Sequence, residues 1–103
     1  MPFGLNNETL EKINKTLSKY PEIDQAVIYG SRAKGNYKPG SDIDLTIKGK
    51  DLSLTKLNKI CIEIDDLMLP YTFDLSIYHQ IDNTDLIEHI NRVGKIFYQK
   101  TKI

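Results

Sequence analysis

The sequence predicts an α/β domain, with one mixed β-sheet flanked by helices in the order α-β-α-β-α-β-α-β. Three observations predict it. Apolar residues at helical spacing alternate along the chain with short runs of period two. The period-two runs are rich in β-branched and aromatic residues. No linker, repeat or low-complexity tract interrupts the 103 residues, so a single domain over 1–103 is expected.

The first element is a helix in "NNETLEKINKTLSKYP". Asn6 or Asn7 can cap it, Glu8 and Glu11 suit its first turns, and Leu10, Ile13 and Leu17 form its apolar stripe. Pro21 ends it. "QAVIYG" reads as a short buried strand closed by glycine, followed by a helix start at Gly30-Ser31. "DIDLTIKG" alternates strictly, with Ile43, Leu45 and Ile47 on one face and Asp42, Asp44 and Thr46 on the other.

"DLSLTKLNKICIEIDDLM" returns to helical period. Ser53 is its expected cap, and Leu54, Leu57, Cys61, Ile64 and Met68 lie on or near one side. "YTFDLSIYH" alternates again, with Phe73, Leu75 and Ile77 against Asp74, Ser76 and Tyr78. "NTDLIEHINRVG" is a helix capped by Asn83 or Thr84, with Leu86, Ile87, Ile90 and Val93 inward and Gly94 as terminator. "KIFYQK" completes the sheet.

Composition narrows the function. Lys plus Arg equals Asp plus Glu at 14 each, so no net field draws the chain to nucleic acid or to an anionic membrane. Basic and aromatic residues are not interleaved, which speaks against binding a polynucleotide directly. One cysteine, Cys61, excludes an intrachain disulfide or a cysteine-based zinc site. No signal peptide opens the chain and no apolar run reaches membrane-spanning length, so a cytoplasmic location is expected.

The chemistry concentrates in "YGSRAKGNYKPGSDIDLTI". A strand that turns through glycine into a helix start presents backbone N–H groups suited to phosphate. Gly30 permits close approach and the Ser31 hydroxyl adds a donor, while Arg32 and Lys34 are candidate phosphate contacts. The loop is not a Walker A motif, because Asn36-Tyr37 stand where Lys-Ser/Thr is required, and it contains no GxGxxG. Asp42 and Asp44 are two apart on a strand, so both carboxylates leave the same face and repel each other. Mg²⁺ relieves such repulsion through hard oxygen ligands. Asp74 repeats the pattern on another strand. If the strands are neighbours in register, three carboxylates meet beside the loop.

"GS", ten residues, then "DID" resembles the signature of the DNA polymerase beta-like nucleotidyltransferase superfamily. The short chain and the later "FDLSIY" resemble its minimal nucleotidyltransferase (MNT) members. The resemblance implies the polymerase beta-like fold, and Gly30 and Ser31 as binders of the phosphates of ATP. It implies Asp42, Asp44 and Asp74 as catalytic carboxylates that ligate two Mg²⁺ ions, with Asp74 assisting deprotonation of the acceptor. Two metals about 3.5–4 Å apart can clamp both the attacking and the leaving oxygen of an in-line displacement.

MNT members resemble antitoxins of HEPN-domain toxins, some of which transfer AMP from ATP to a toxin tyrosine. AMPylation of a HEPN-domain partner is therefore the expected activity, with an apolar helix face leaving room for oligomers. Two alternatives stand beside it: an antitoxin that acts by binding alone, and a nucleotidyltransferase for a small molecule such as an antibiotic. His79 and His89 lack metal-ligand spacing and are expected to be surface or packing residues. Tyr78 shares the Asp74 face and merits inspection.

Overall fold

The computed structural model describes residues 2–101. The regular elements are α1 (Asn7–Ser18), β1 (Gln25–Tyr29), α2 (Ser31–Lys34), β2 (Ile43–Lys48), α3 (Leu54–Asp65), β3 (Phe73–Ile77), α4 (Thr84–Val93) and β4 (Lys95–Gln99), in the expected order. Short 3₁₀ turns lie at Pro2–Gly4 and Tyr78–Gln80.

The helices begin where side chains can satisfy their first amides. Asn6 Oδ1 accepts the Thr9 N–H of α1, Ser53 Oγ accepts the Lys56 N–H of α3, and Asn83 Oδ1 accepts the Asp85 and Leu86 N–H groups of α4.

The four strands lie in the order β3-β2-β1-β4. β1 pairs antiparallel with both β2 and β4, and β2 pairs parallel with β3, so the sheet is mixed. Strand alternation sorts its two faces. Ala26, Ile28, Ile43, Leu45, Ile47 and Ile77 share one core with Ile13 and Leu17 of α1 and Ile60 and Ile64 of α3. Their burial supplies the main drive for folding, at about 25 cal/mol per Å² of apolar surface removed from water. The opposite face carries a smaller cluster in which Val27 and Tyr29 pack against Ile90 of α4. That helix covers only part of the face, and the polar remainder, with Asp44 half-buried and Asp74 exposed, stays accessible.

One expected stripe fails at its two ends, while Ile64 is in the core and Leu57 packs against it. α3 buries Ile60 and Ile64, whereas Leu54 is 62% exposed and Met68 85% exposed. The helix ends at Asp65, and Met68 sits beyond it with φ 55°, outside the helical period that placed it inward. Leu54 is the first residue of the helix. Cys61 is half-buried, and burial, followed by the Asp65 charge, pushes its thiol above the ordinary value.

Candidate active site

The site is assembled at one end of the sheet by register. Tyr29, the last residue of β1, lies opposite Asp44, and Asp44 lies beside Asp74 in the parallel pair. Directly paired residues project from the same face, so the two carboxylates stand side by side with Tyr29 as the next neighbour. Asp42 precedes β2 and is exposed. Behind them Thr46 and Ser76 repeat the pairing, and the Ser76 hydroxyl donates to Thr46 Oγ1 at 3.0 Å.

Charge is unbalanced here. Asp44 has its pKa raised, first by burial and then by the Asp74 and Asp42 charges, with His89 opposing the rise. Burial also raises the Tyr29 phenol, and Asp74 and Asp44 add to that. Among the described residues no three His, Cys, Asp or Glu side chains are already gathered tightly enough to enclose an ion. The donor set nonetheless fits a hard divalent cation. It consists of carboxylate oxygens, and the half-buried member feels like charges that a cation would neutralise. Asp42, Asp44 and Asp74 are the residues that could hold one, after side-chain rotation.

The loop meets this acid face at Gly30. Its backbone, at φ 75° and ψ −156°, lies in a region that essentially only glycine populates. A Cβ there would run into Asp44 Oδ2. The conformation therefore demands glycine, and a side chain there would in addition displace the carboxylate. Gly30→Ala is expected to lower stability by about 1–3 kcal/mol and to push Asp44 away from its strand neighbours. Thermal melting reads the first effect and Mg²⁺ titration the second. A variant that melts and titrates like the wild type would refute this geometry.

The structure treats the other loop residues differently. Ser31 is half-buried at the start of α2 and Lys34 is exposed at its end. Arg32 is not available as a phosphate contact. It is 2% exposed. Its Nε and Nη2 donate to the Ser41 carbonyl at 3.1 and 2.9 Å, Nη2 also reaches Pro39 O at 3.3 Å, and Nη1 donates to Phe3 O at 2.9 Å. Its guanidinium lies 5.3 and 5.0 Å from the ring centres of Tyr37 and Tyr71. These four hydrogen bonds engage all three of its nitrogens within the protein, so it shapes the loop between Gly30 and Asp42 instead of reaching out of it.

Tyr78 is likewise committed. Its hydroxyl donates to Asn91 Oδ1 at 3.0 Å, and Lys48 Nζ lies 4.5 Å from its ring centre. His89, read from the sequence as a surface or packing residue, instead reaches the loop, where its Nε2 accepts the Gly30 N–H at 3.2 Å. Spacing along the chain offered no sign of this, because the contact spans 59 residues. A recess of about 730 Å³ lies at the other end of β1 and β2, lined by residues including Glu22, Asp24, Lys48 and His79, and shares no residue with the acid face.

Comparison with known proteins agrees with the fold. The family model described as polymerase beta, nucleotidyltransferase matches residues 11–103. No curated protein matches the sequence. Among solved structures, the chain is similar to a toxin–antitoxin with AMP-PNP, at TM-score 0.70 and 19% identity, covering 94% of this chain and 76% of that one. A tri-AMPylated Shewanella oneidensis HEPN toxin in complex with MNT antitoxin gives TM-score 0.69 and 18% identity, covering 93% and 74%. The toxin–antitoxin MntA-HepT gives 0.67 and 18%, covering 92% and 74%. At these identities the likeness is one of fold. No helix among the described residues is long and apolar enough to cross a membrane.

Proposed function

The chain belongs to the polymerase beta nucleotidyltransferase family, and on that premise we propose that it transfers AMP from ATP to a hydroxyl, a tyrosine in the leading reading, of a HEPN-domain toxin and so acts as its antitoxin. The observation that carries this reading is the parallel pairing of Asp44 with Asp74 directly beside the Gly30-Ser31 turn. Its setting is a fold shared with toxin–antitoxin structures, one of them described as containing an AMPylated toxin.

In the proposed reaction the acceptor oxygen attacks the α-phosphorus of ATP. The bond from that phosphorus to the bridging oxygen breaks, and pyrophosphate leaves with that electron pair. The acceptor's proton passes to a carboxylate of the acid face, for which Asp74 is assigned because it is exposed to an incoming protein. The Ser31 hydroxyl and the turn's amides orient the phosphates, and Lys34 meets the charge of the departing pyrophosphate. Mg²⁺ bound by Asp42, Asp44 and Asp74, two ions in the leading reading, would supply charge neutralisation at the phosphates. The open acid face suits an acceptor delivered by another protein.

Intact-mass spectrometry of the HEPN-domain partner, incubated with this protein, ATP and Mg²⁺, tests the proposal. The expected result is an AMP-sized gain that is absent with the Asp42→Asn/Asp44→Asn double variant. The second reading, an antitoxin that acts by binding alone, draws on the carboxylates not being gathered into an ion cage. It predicts no mass gain and a complex formed equally by wild type and variant.

A further inference from the structure

Within the turn Gly30 is held through its carbonyl, which accepts the Lys34 N–H at 3.1 Å, but its N–H side poses a physical problem. The positive φ, with the Asp44 carboxylate close by, disfavours a side chain at this position, yet glycine restrains its own backbone less than any other residue. A turn that must present fixed amides to a ligand is then built on the residue least able to fix them. On the N–H side the restraint comes from outside the turn.

His89 meets that need. Its Nε2 accepts the Gly30 N–H at 3.2 Å, and its ring meets Tyr29 edge-on with centroids 6.1 Å apart. The imidazole is therefore held against the two residues at which β1 becomes the turn. The platform behind it is rigid: the next residue, Ile90, is 2% exposed and locks α4 onto Val27 and Tyr29 of β1. A group carried on a packed helix positions more accurately than one carried on a loop.

We propose that His89 is a positioning residue for the nucleotide site: by accepting the Gly30 N–H it holds the Tyr29–Gly30 peptide, and with it the backbone that leads to the Ser31 amide, in the orientation that phosphate binding requires. The proposal rests on the reading that this turn takes the phosphates of a nucleotide. His89 acts through Gly30, so its contribution falls on binding and not on the bond-making step. The role requires an acceptor at the Nε2 position, not an imidazole as such. The amide oxygen of glutamine reaches about as far as Nε2, whereas the side chain of alanine offers no acceptor.

The test compares wild type, His89→Ala and His89→Gln. Amide hydrogen exchange at Gly30 is followed by NMR in the nucleotide-free protein, and AMP-PNP affinity with Mg²⁺, KM for ATP and kcat are measured alongside. His89→Ala is expected to speed Gly30 exchange, and to weaken AMP-PNP binding and raise KM by about three- to tenfold, the scale of one neutral hydrogen bond. The kcat value should hold. His89→Gln should restore both the protection and the affinity. The proposal is overturned if His89→Ala loses Gly30 protection while binding AMP-PNP as wild type does, or if Gly30 protection does not depend on residue 89. Wild-type protein that binds no nucleotide at all overturns the functional reading, and this proposal with it.

Discussion

Replacing Asp44 by asparagine is expected to abolish nucleotidyl transfer while making the metal-free protein harder to melt. Activity should fall by about a hundredfold or more, since a lost metal ligand removes several kcal/mol of charge stabilisation in the transition state. The stability gain has a separate cause. Burial first, then Asp74 and Asp42, raise the Asp44 pKa above its unfolded value. A carboxyl so shifted favours the folded state fully below the unfolded pKa, and that advantage is lost as pH rises through the folded pKa. At neutral pH the ionised group is a net liability that asparagine removes. The advantage of the variant should shrink toward acid pH, where the wild-type carboxyl gains its proton. Mg²⁺ should raise the melting temperature of the wild type and leave Asp44→Asn nearly unmoved. Calorimetry with EDTA or Mg²⁺ across pH, beside a transfer assay, reads all of these effects. Full transfer by Asp44→Asn would remove the acid face from the chemistry.

Arg32→Met is expected to be the most destabilising single change in the loop. Methionine keeps much of the apolar stem but leaves the carbonyls of Phe3, Pro39 and Ser41 without the donors they now have. Hydrogen bonds to a charged donor are worth roughly 1.5–3 kcal/mol each and do not add fully, so a loss of about 3 kcal/mol or more is expected. In a domain whose total stability is about 5–15 kcal/mol this is a large fraction, equivalent to a melting temperature lower by roughly 12 °C or more. The acceptors are backbone atoms, so no accompanying side-chain substitution can remove them. Arg32→Lys should recover only part of the loss, because one ammonium cannot span three carbonyls and stack between two rings. Urea and thermal unfolding measure the difference. Near-wild-type stability of Arg32→Met would mean that the guanidinium does not clamp the loop.

These two residues mark how far the sequence could be read. The strands were legible because alternation is a local property, and so was the acid face: Asp44 and Asp74 each break an apolar strand on its polar side, and only their register had to be added. The caps at Asn6, Ser53 and Asn83 were legible for the same reason, being contacts three residues long. Arg32 was misread because its neighbourhood in sequence is basic and glycine-rich, like a phosphate loop, while two of its partners, Phe3 and Tyr71, come from distant segments. His89 was missed because a single hydrogen bond between α4 and the β1 turn leaves no periodicity. Met68 was misplaced because a helical stripe was extended past the point where the backbone stops being helical.

The strand order has a consequence for how the molecule is made. β1 lies between β2, which follows it closely, and β4, which starts only at Lys95. Pairing of β3-β2-β1 can begin once Ile77 has been synthesised, so the acid face can be assembled early. Until β4 returns, β1 has an open edge with unpaired backbone groups, a template for association with other chains. Closure of that edge is a long-range event, which slows folding. Premature termination before Lys95 would therefore yield a chain with its carboxylates in register and its central strand exposed, one headed for aggregation and proteolysis despite an intact DxD.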